Sequence, residues 1–162
     1  KKILDPHGVE GPHQEVDGLG LLDVETIFDR VKTTCQVEAS LNAGCGMWNS
    51  ERPNKALIKG YEIHMGKTIG DVGLFDVKRH SSDTELIPDG SQKGIVWGTY
   101  IHGIFDNDAF RRGLINSLRV KRGLTPIEDV MDFAKARDAA LDNWANVLRE
   151  SIDMRFIQEL IT

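Results

Sequence analysis

Gly98-Thr99-Tyr100-Ile101-His102-Gly103-Ile104-Phe105-Asp106-Asn107-Asp108 is the stretch where the chain changes character. Before it, β-branched and apolar residues come in short runs between glycines and prolines; after it, Phe110, Leu114 and Leu118 recur at i, i+4 and i+8 on one helical face. The run from Gly94 to Ile101 reads as a strand that ends at a histidine followed by a glycine. A strand end of this kind holds an imidazole at a sheet edge, where it can take a proton from a nucleophile on a neighbouring loop. A structural histidine with both ring nitrogens satisfied is the competing reading of His102.

Outward from this stretch, strands are expected at Leu21 to Phe28, Thr33 to Leu41, Ala56 to His64 and Gly73 to Val77. Asn42 to Asn54 reads as a loop, and Pro88-Asp89-Gly90 as a turn. Lys1 to Leu4 has the look of a helix tail, and the Gly-, Pro- and His-rich stretch from Asp5 to Gly20 that of a long exposed loop. Toward the other end, Thr125, Pro126 and Glu128 form a capping-box pattern for a helix with apolar face Val130, Phe133, Ala134, Leu141, Trp144 and Leu148. A last short helix is expected from about Met154 to Leu160. Strands first and helices last place the chain in the α/β or α+β class.

A second polar cluster is Gly60-Tyr61-Glu62-Ile63-His64-Met65-Gly66, where alternation puts Glu62 and His64 on one strand face and Tyr61 and Ile63 on the other. The Glu62/His64 face can present donors and an acceptor to a polar ligand, or the two side chains can pair with each other or their neighbours. The five histidines show no H-x-x-x-H or H-E-x-x-H spacing, so no metal site is expected. Of the two cysteines, Cys35 falls mid-strand and reads as a small buried hydrophobe. Cys45 is a poor candidate nucleophile. Ala43 and Met47 stand where a strand-turn-helix elbow of the form G-x-C-x-G wants glycines, and Trp48 to Pro53 cannot be the helix that follows.

Composition narrows the function classes. The 162 residues, 40% hydrophobic and 28% charged, suffice for one globular domain or a large piece of one. A net charge of −5 with interspersed signs offers no basic stripe for a nucleic acid. No run approaches the roughly 18 apolar residues of a membrane span, and the opening is not a signal peptide. With two scattered cysteines, a reducing, cytoplasmic setting is expected.

Taken in order, Gly20-Leu21-Leu22-Asp23-Val24-Glu25-Thr26, the Gly60 to Gly66 cluster and the Gly98 to Asp108 stretch resemble the glutaminase domain of cobyric acid synthases. Asp5-Pro6-His7-Gly8-Val9-Glu10 and the run from Phe133 to Asp142 extend the likeness over essentially the whole chain. The resemblance implies an α/β, flavodoxin-like class I glutamine amidotransferase half-domain, residues 1–162 being the C-terminal portion of that domain. The nucleophile elbow and an N-terminal ATP-binding synthetase domain would then lie outside the chain. Ammonia from L-glutamine would serve amidation of carboxylates b, d, e and g of adenosylcobyrinic acid a,c-diamide, in cobalamin biosynthesis.

By the same resemblance His102 is the catalytic histidine, and Tyr61, Glu62 and His64 belong to the region that helps build the glutamine pocket. No cofactor is expected in this chain, ATP and Mg²⁺ belonging to the synthetase domain, which would also bring the corrinoid substrate. Class I amidotransferases usually place a glutamate two residues after this histidine, where Ile104 stands here, so the site reads as a Cys-His dyad whose orienting acceptor is unidentified. The isolated chain is expected to be inactive and to self-associate through exposed sheet. Alternatives are a non-catalytic binding module of the same fold and cobyrinic acid a,c-diamide synthase; the residues from His102 to Asp108 favour cobyric acid synthase over the latter.

Overall fold

The structure, a computed structural model, describes residues 1–12, 14–42, 57–80, 85–129 and 131–161. Residues 1–127 and 128–162 form two separate units. In the first, β1 (Lys2–Leu4), β2 (Glu15–Asp17), β3 (Val24–Leu41), β4 (Ile58–Gly70), β5 (Phe75–Arg79), β6 (Leu86–Asp89) and β9 (Ile101–His102) share one sheet, while β7 (Ser91–Lys93) and β8 (Val96–Gly98) pair separately. A 3-10 turn, Ile104–Asp106, leads into α1 (Asp108–Lys121). The second unit holds α2 (Phe133–Ser151) and α3 (Met154–Ile161).

The sheet is mixed. β1 runs parallel to β3, and the remaining pairs are antiparallel. A mixed sheet followed by C-terminal helices is the α/β arrangement expected. Individual elements differ from the sequence reading for physical reasons. Lys1 to Leu4 is no helix tail: the edge of β3 at Glu25–Ile27 supplies parallel ladder partners for Lys2–Leu4, which form a strand instead. The loop after it contains β2, and Asp5 folds the turn between them by accepting the Val9 N–H at 2.8 Å and the Glu10 N–H at 2.9 Å.

The two strands expected between Leu21 and Leu41 are one, because the polar break at residues 28–31 is absorbed as a bulge opposite Gly66. Gly66 has φ 123°, and a Cβ there would strike the Ile27 backbone. Pro88 belongs to β6 rather than to a turn; among the described residues β6 pairs with β5 alone, an edge position that tolerates a residue without an N–H. The capping-box pattern at Thr125 does not start a helix either. The Asn116 side chain grips Ile127 by both its N–H and C=O, and Arg119 donates to the Thr125 carbonyl, which holds the segment extended along α1. α2 begins eight residues later under Asp132, whose carboxylate accepts the Lys135 N–H. Val130 and the Asn42 to Asn54 loop beyond Asn42, with Cys45, lie outside the described residues.

The core gathers Val37, Ala39, Ile58, Phe75, Val77 and Ile101 from one face of the sheet with Ile104 and Phe110 beyond the last strand. Phe75, Trp97, Phe105 and Phe110 meet edge-on or tilted at centroid separations of 6.1–6.4 Å, each such pair contributing about 1 kcal/mol beyond its burial. This cluster anchors both ends of the segment that carries His102.

Candidate active site

β9 is two residues long, and its pairing with β4 sets everything near it: Glu62 lies opposite Ile101 and Tyr61 opposite His102. Partners across a ladder share a face. His102 therefore sits with Tyr61 on the exposed side of the sheet, and Ile101 with Glu62 on the core side. The His102 and Tyr61 rings are parallel to within 7°, with centroids 5.3 Å apart. Among the described residues no side chain or backbone group hydrogen-bonds the His102 ring nitrogens, which leaves both open on an exposed residue.

Two glycines allow this placement. Gly103 turns the chain at φ 74° directly after the histidine. At Gly60 a Cβ would sit against the His102 carbonyl oxygen and 2.7 Å from Ile101 Cγ2, so β9 lies this close only to a glycine. An open cleft of about 400 Å³ is lined by Tyr61, but not by His102, together with Gln36, Glu38, Lys59, His80, Gly103 and Asp106. Ile104, at the position where a glutamate would orient the imidazole, is buried in the core and contributes no acceptor.

The other face of β4 carries a polar network. Glu62, 2% exposed, accepts from Arg79 Nε at 2.5 Å and from the Cys35 thiol at 3.6 Å, and His64 Nε2 lies 3.7 Å from its other oxygen. Hydrogen bonding to Glu62 holds the Arg79 guanidinium even more firmly protonated than usual. His64 Nδ1 donates to the Gly66 carbonyl at 3.0 Å and its ring stacks on Tyr100 at 4.6 Å. The Tyr100 hydroxyl closes a triangle with Thr26 and Thr68. The network opens on a cleft of about 570 Å³ that Glu62, His64, Arg79 and Tyr100 line together with Thr33, Lys67 and Thr68.

The four site residues singled out in the sequence are thus divided by the sheet, His102 with Tyr61 on one side and Glu62 with His64 on the other. Cys35 is half-buried among these polar groups rather than a plain core hydrophobe. Burial first, and the Glu62 carboxylate second, push its thiol pKa up, the opposite of what an attacking thiolate requires. Arg79 and Asn107 were not singled out. Nothing local marks Arg79 as the partner of Glu62, while Asn107 stood inside the quoted motif without a role.

Residues 1–110 match the CobB/CobQ-like glutamine amidotransferase domain. The chain belongs to that family. Its relatives include proteins named cobyric acid synthase from Thermodesulfovibrio yellowstonii, 45% identical over 160 residues, and Thermoanaerobacter sp., 42% identical over 166 residues, each alignment covering 99% of this chain. A third, from Citrobacter koseri, is 37% identical over 155 residues and 94% of the chain. The chain spans about a third of the length of these relatives, 30%, 32% and 30% respectively. The likeness to cobyric acid synthases thus continues past the amidotransferase match, through α1 and the C-terminal helices. Among the described residues no group of three His, Cys, Asp or Glu is placed to hold a metal ion, and no helix is long and apolar enough to cross a membrane.

Proposed function

We propose that this chain is the histidine-bearing C-terminal part of the glutamine amidotransferase domain of a cytoplasmic cobyric acid synthase. The observation that carries the reading is His102 itself, exposed at a strand end, stacked on Tyr61 and, among the described residues, without a hydrogen-bond partner on either ring nitrogen. A cysteine outside these 162 residues supplies the nucleophile. His102 takes the thiol proton as sulfur attacks the glutamine amide carbon, then returns a proton to the departing ammonia. In the second half of the cycle it draws a proton from the water that hydrolyses the thioester.

Tyr61 holds the plane of the imidazole and lines the cleft in which L-glutamine lies. Glu62 and His64 act from behind the strand, fixing β4 to β3 and β5 rather than touching the amide. Ammonia passes to a synthetase domain that uses ATP and Mg²⁺ to amidate the b, d, e and g carboxylates of adenosylcobyrinic acid a,c-diamide. By itself the chain exposes Tyr61 and Ile63 on the same sheet face and self-associates through it.

A glutaminase assay on the purified 162-residue chain tests the assignment of the nucleophile. No glutamate release is expected, since His102 has no suitable thiol to activate. Release that Cys45→Ser abolishes would place the nucleophile inside the chain and overturn the half-domain reading.

A further inference from the structure

Asn107 precedes the first residue of α1, the place where an asparagine ordinarily folds its side chain back to cap the helix. It does not do so here. Its side-chain oxygen instead accepts the Lys59 N–H at 2.8 Å, and its amide nitrogen donates to the Lys59 carbonyl at 2.8 Å. The same nitrogen lies 3.2 Å from the Gly103 carbonyl and 3.1 Å from that of Ile104.

The register explains the geometry. β4 and β9 share only the rungs Glu62 to Ile101 and Tyr61 to His102, after which Gly103 turns the chain away. Lys59, two residues before Tyr61 in β4 and paired with Glu38 on its β3 side, has no partner from β9, and the Asn107 amide meets its N–H and C=O as a peptide group would. It also ties the two carbonyls that immediately follow His102. His102 is thereby held from both sides, by its ladder partner Tyr61 before the turn and by the Asn107 bridge after it.

We propose that Asn107 is a positioning residue for His102, its side-chain amide serving as a surrogate ladder rung that fixes the imidazole for proton transfer. The proposal rests on the reading of His102 as the proton shuttle. A carboxylate at this position would keep the acceptor for the Lys59 N–H but turn a negative oxygen toward three carbonyls. A protonated carboxyl, with one O–H and one C=O, restores the pair of bonds to Lys59.

The test uses the full-length protein with Asn107→Asp, Asn107→Ala and, as control, His102→Ala. Asn107→Asp is expected to lower kcat for glutamine hydrolysis roughly ten- to a hundred-fold, the scale of loss for a group displaced by about an ångström. KM for glutamine and the ammonia-dependent rate should stay within about twofold. The ratio of the Asn107→Asp rate to the wild-type rate should rise as pH falls from 8 to 5.5, and that of Asn107→Ala should not. If Asn107→Asp proves insoluble, Asn107→Ala, which brings no charge, must still show the selective loss of kcat. Glutaminase kcat within twofold of wild type in Asn107→Ala, with His102→Ala inactive, overturns the positioning role and leaves the shuttle standing. A matching fall in ammonia-dependent synthesis also overturns it, in favour of a general structural role. An active His102→Ala variant overturns the shuttle, and the positioning role with it.

Discussion

Tyr61 and Glu62 are adjacent in sequence and opposite in circumstance. On the Tyr61 side of β4 two parallel rings stand exposed, and Tyr61 lines an open cleft. On the Glu62 side the carboxylate is held by a guanidinium, a thiol and an imidazole. An open imidazole can exchange protons with a substrate and a nucleophile; a carboxylate held this way resists any rearrangement that catalysis would ask of it. One strand thus carries a working face and a fastening face, and the period of two divides them.

Substitutions on the two faces should accordingly fail in different ways. The largest effect on stability is expected from Glu62→Ala, which leaves the Arg79 guanidinium half-buried without its carboxylate and removes the acceptor for Cys35. Breaking such a pair costs about 3 kcal/mol, to be read as a lowered urea midpoint of the chain. A loss below about 1 kcal/mol would mean that the network is not what fastens β4.

Tyr61→Ala should do the reverse. Removing an exposed ring alters the midpoint little, but loss of a stack worth about 0.5–1.5 kcal/mol should slow glutamine hydrolysis in the full-length protein by about two- to twelve-fold. A urea midpoint lowered as far as in Glu62→Ala, with glutamine hydrolysis at the wild-type rate, would make Tyr61 a fastening residue and erase the distinction between the faces.

The smallest effect is a pH dependence from Cys35. Its thiol pKa is raised in the folded state, by burial and then by Glu62, so the native chain keeps a proton that the unfolded chain has already lost. That contribution is whole below the unfolded thiol pKa and fades as pH climbs through the folded value. The midpoint should therefore sag above about pH 8.5, and Cys35→Ser should remove that part of the slope. A slope unchanged by the substitution would show that neither burial nor Glu62 raises the Cys35 thiol on folding.

Much of this was legible in the sequence because it depends on local pattern. The alternation of Tyr61 against Glu62 and the Phe110 and Leu114 part of the α1 stripe recur in the structure, but Leu118 is exposed where Ser117 is buried. The strand expected over Gly94 to Ile101 is broken where Asp89 takes the Tyr100 N–H, leaving β8 paired with β7 and β9 paired with β4. What stayed hidden depends on register. That Tyr61 meets His102, and Glu62 meets Arg79, follows from how β4 aligns with β9 and how β3 aligns with β5, and no spacing within a strand encodes either. The Thr125 pattern failed for the same reason, its local preference yielding to Asn116 and Arg119 on a helix already formed. Asn107 is the mirror case, a residue that reads locally as a helix cap and serves a strand instead.

The most direct test of the working face is His102→Ala in the full-length protein, assayed once with glutamine and once with free ammonia as nitrogen source. With glutamine, synthesis should fall on the order of a hundred- to ten-thousand-fold, the usual contribution of a positioned acid-base group. With ammonia it should hold near the wild-type rate, because the synthetase step does not require His102. Glutamine-dependent synthesis that survives the substitution within a few-fold would contradict the account and make His102 a structural residue.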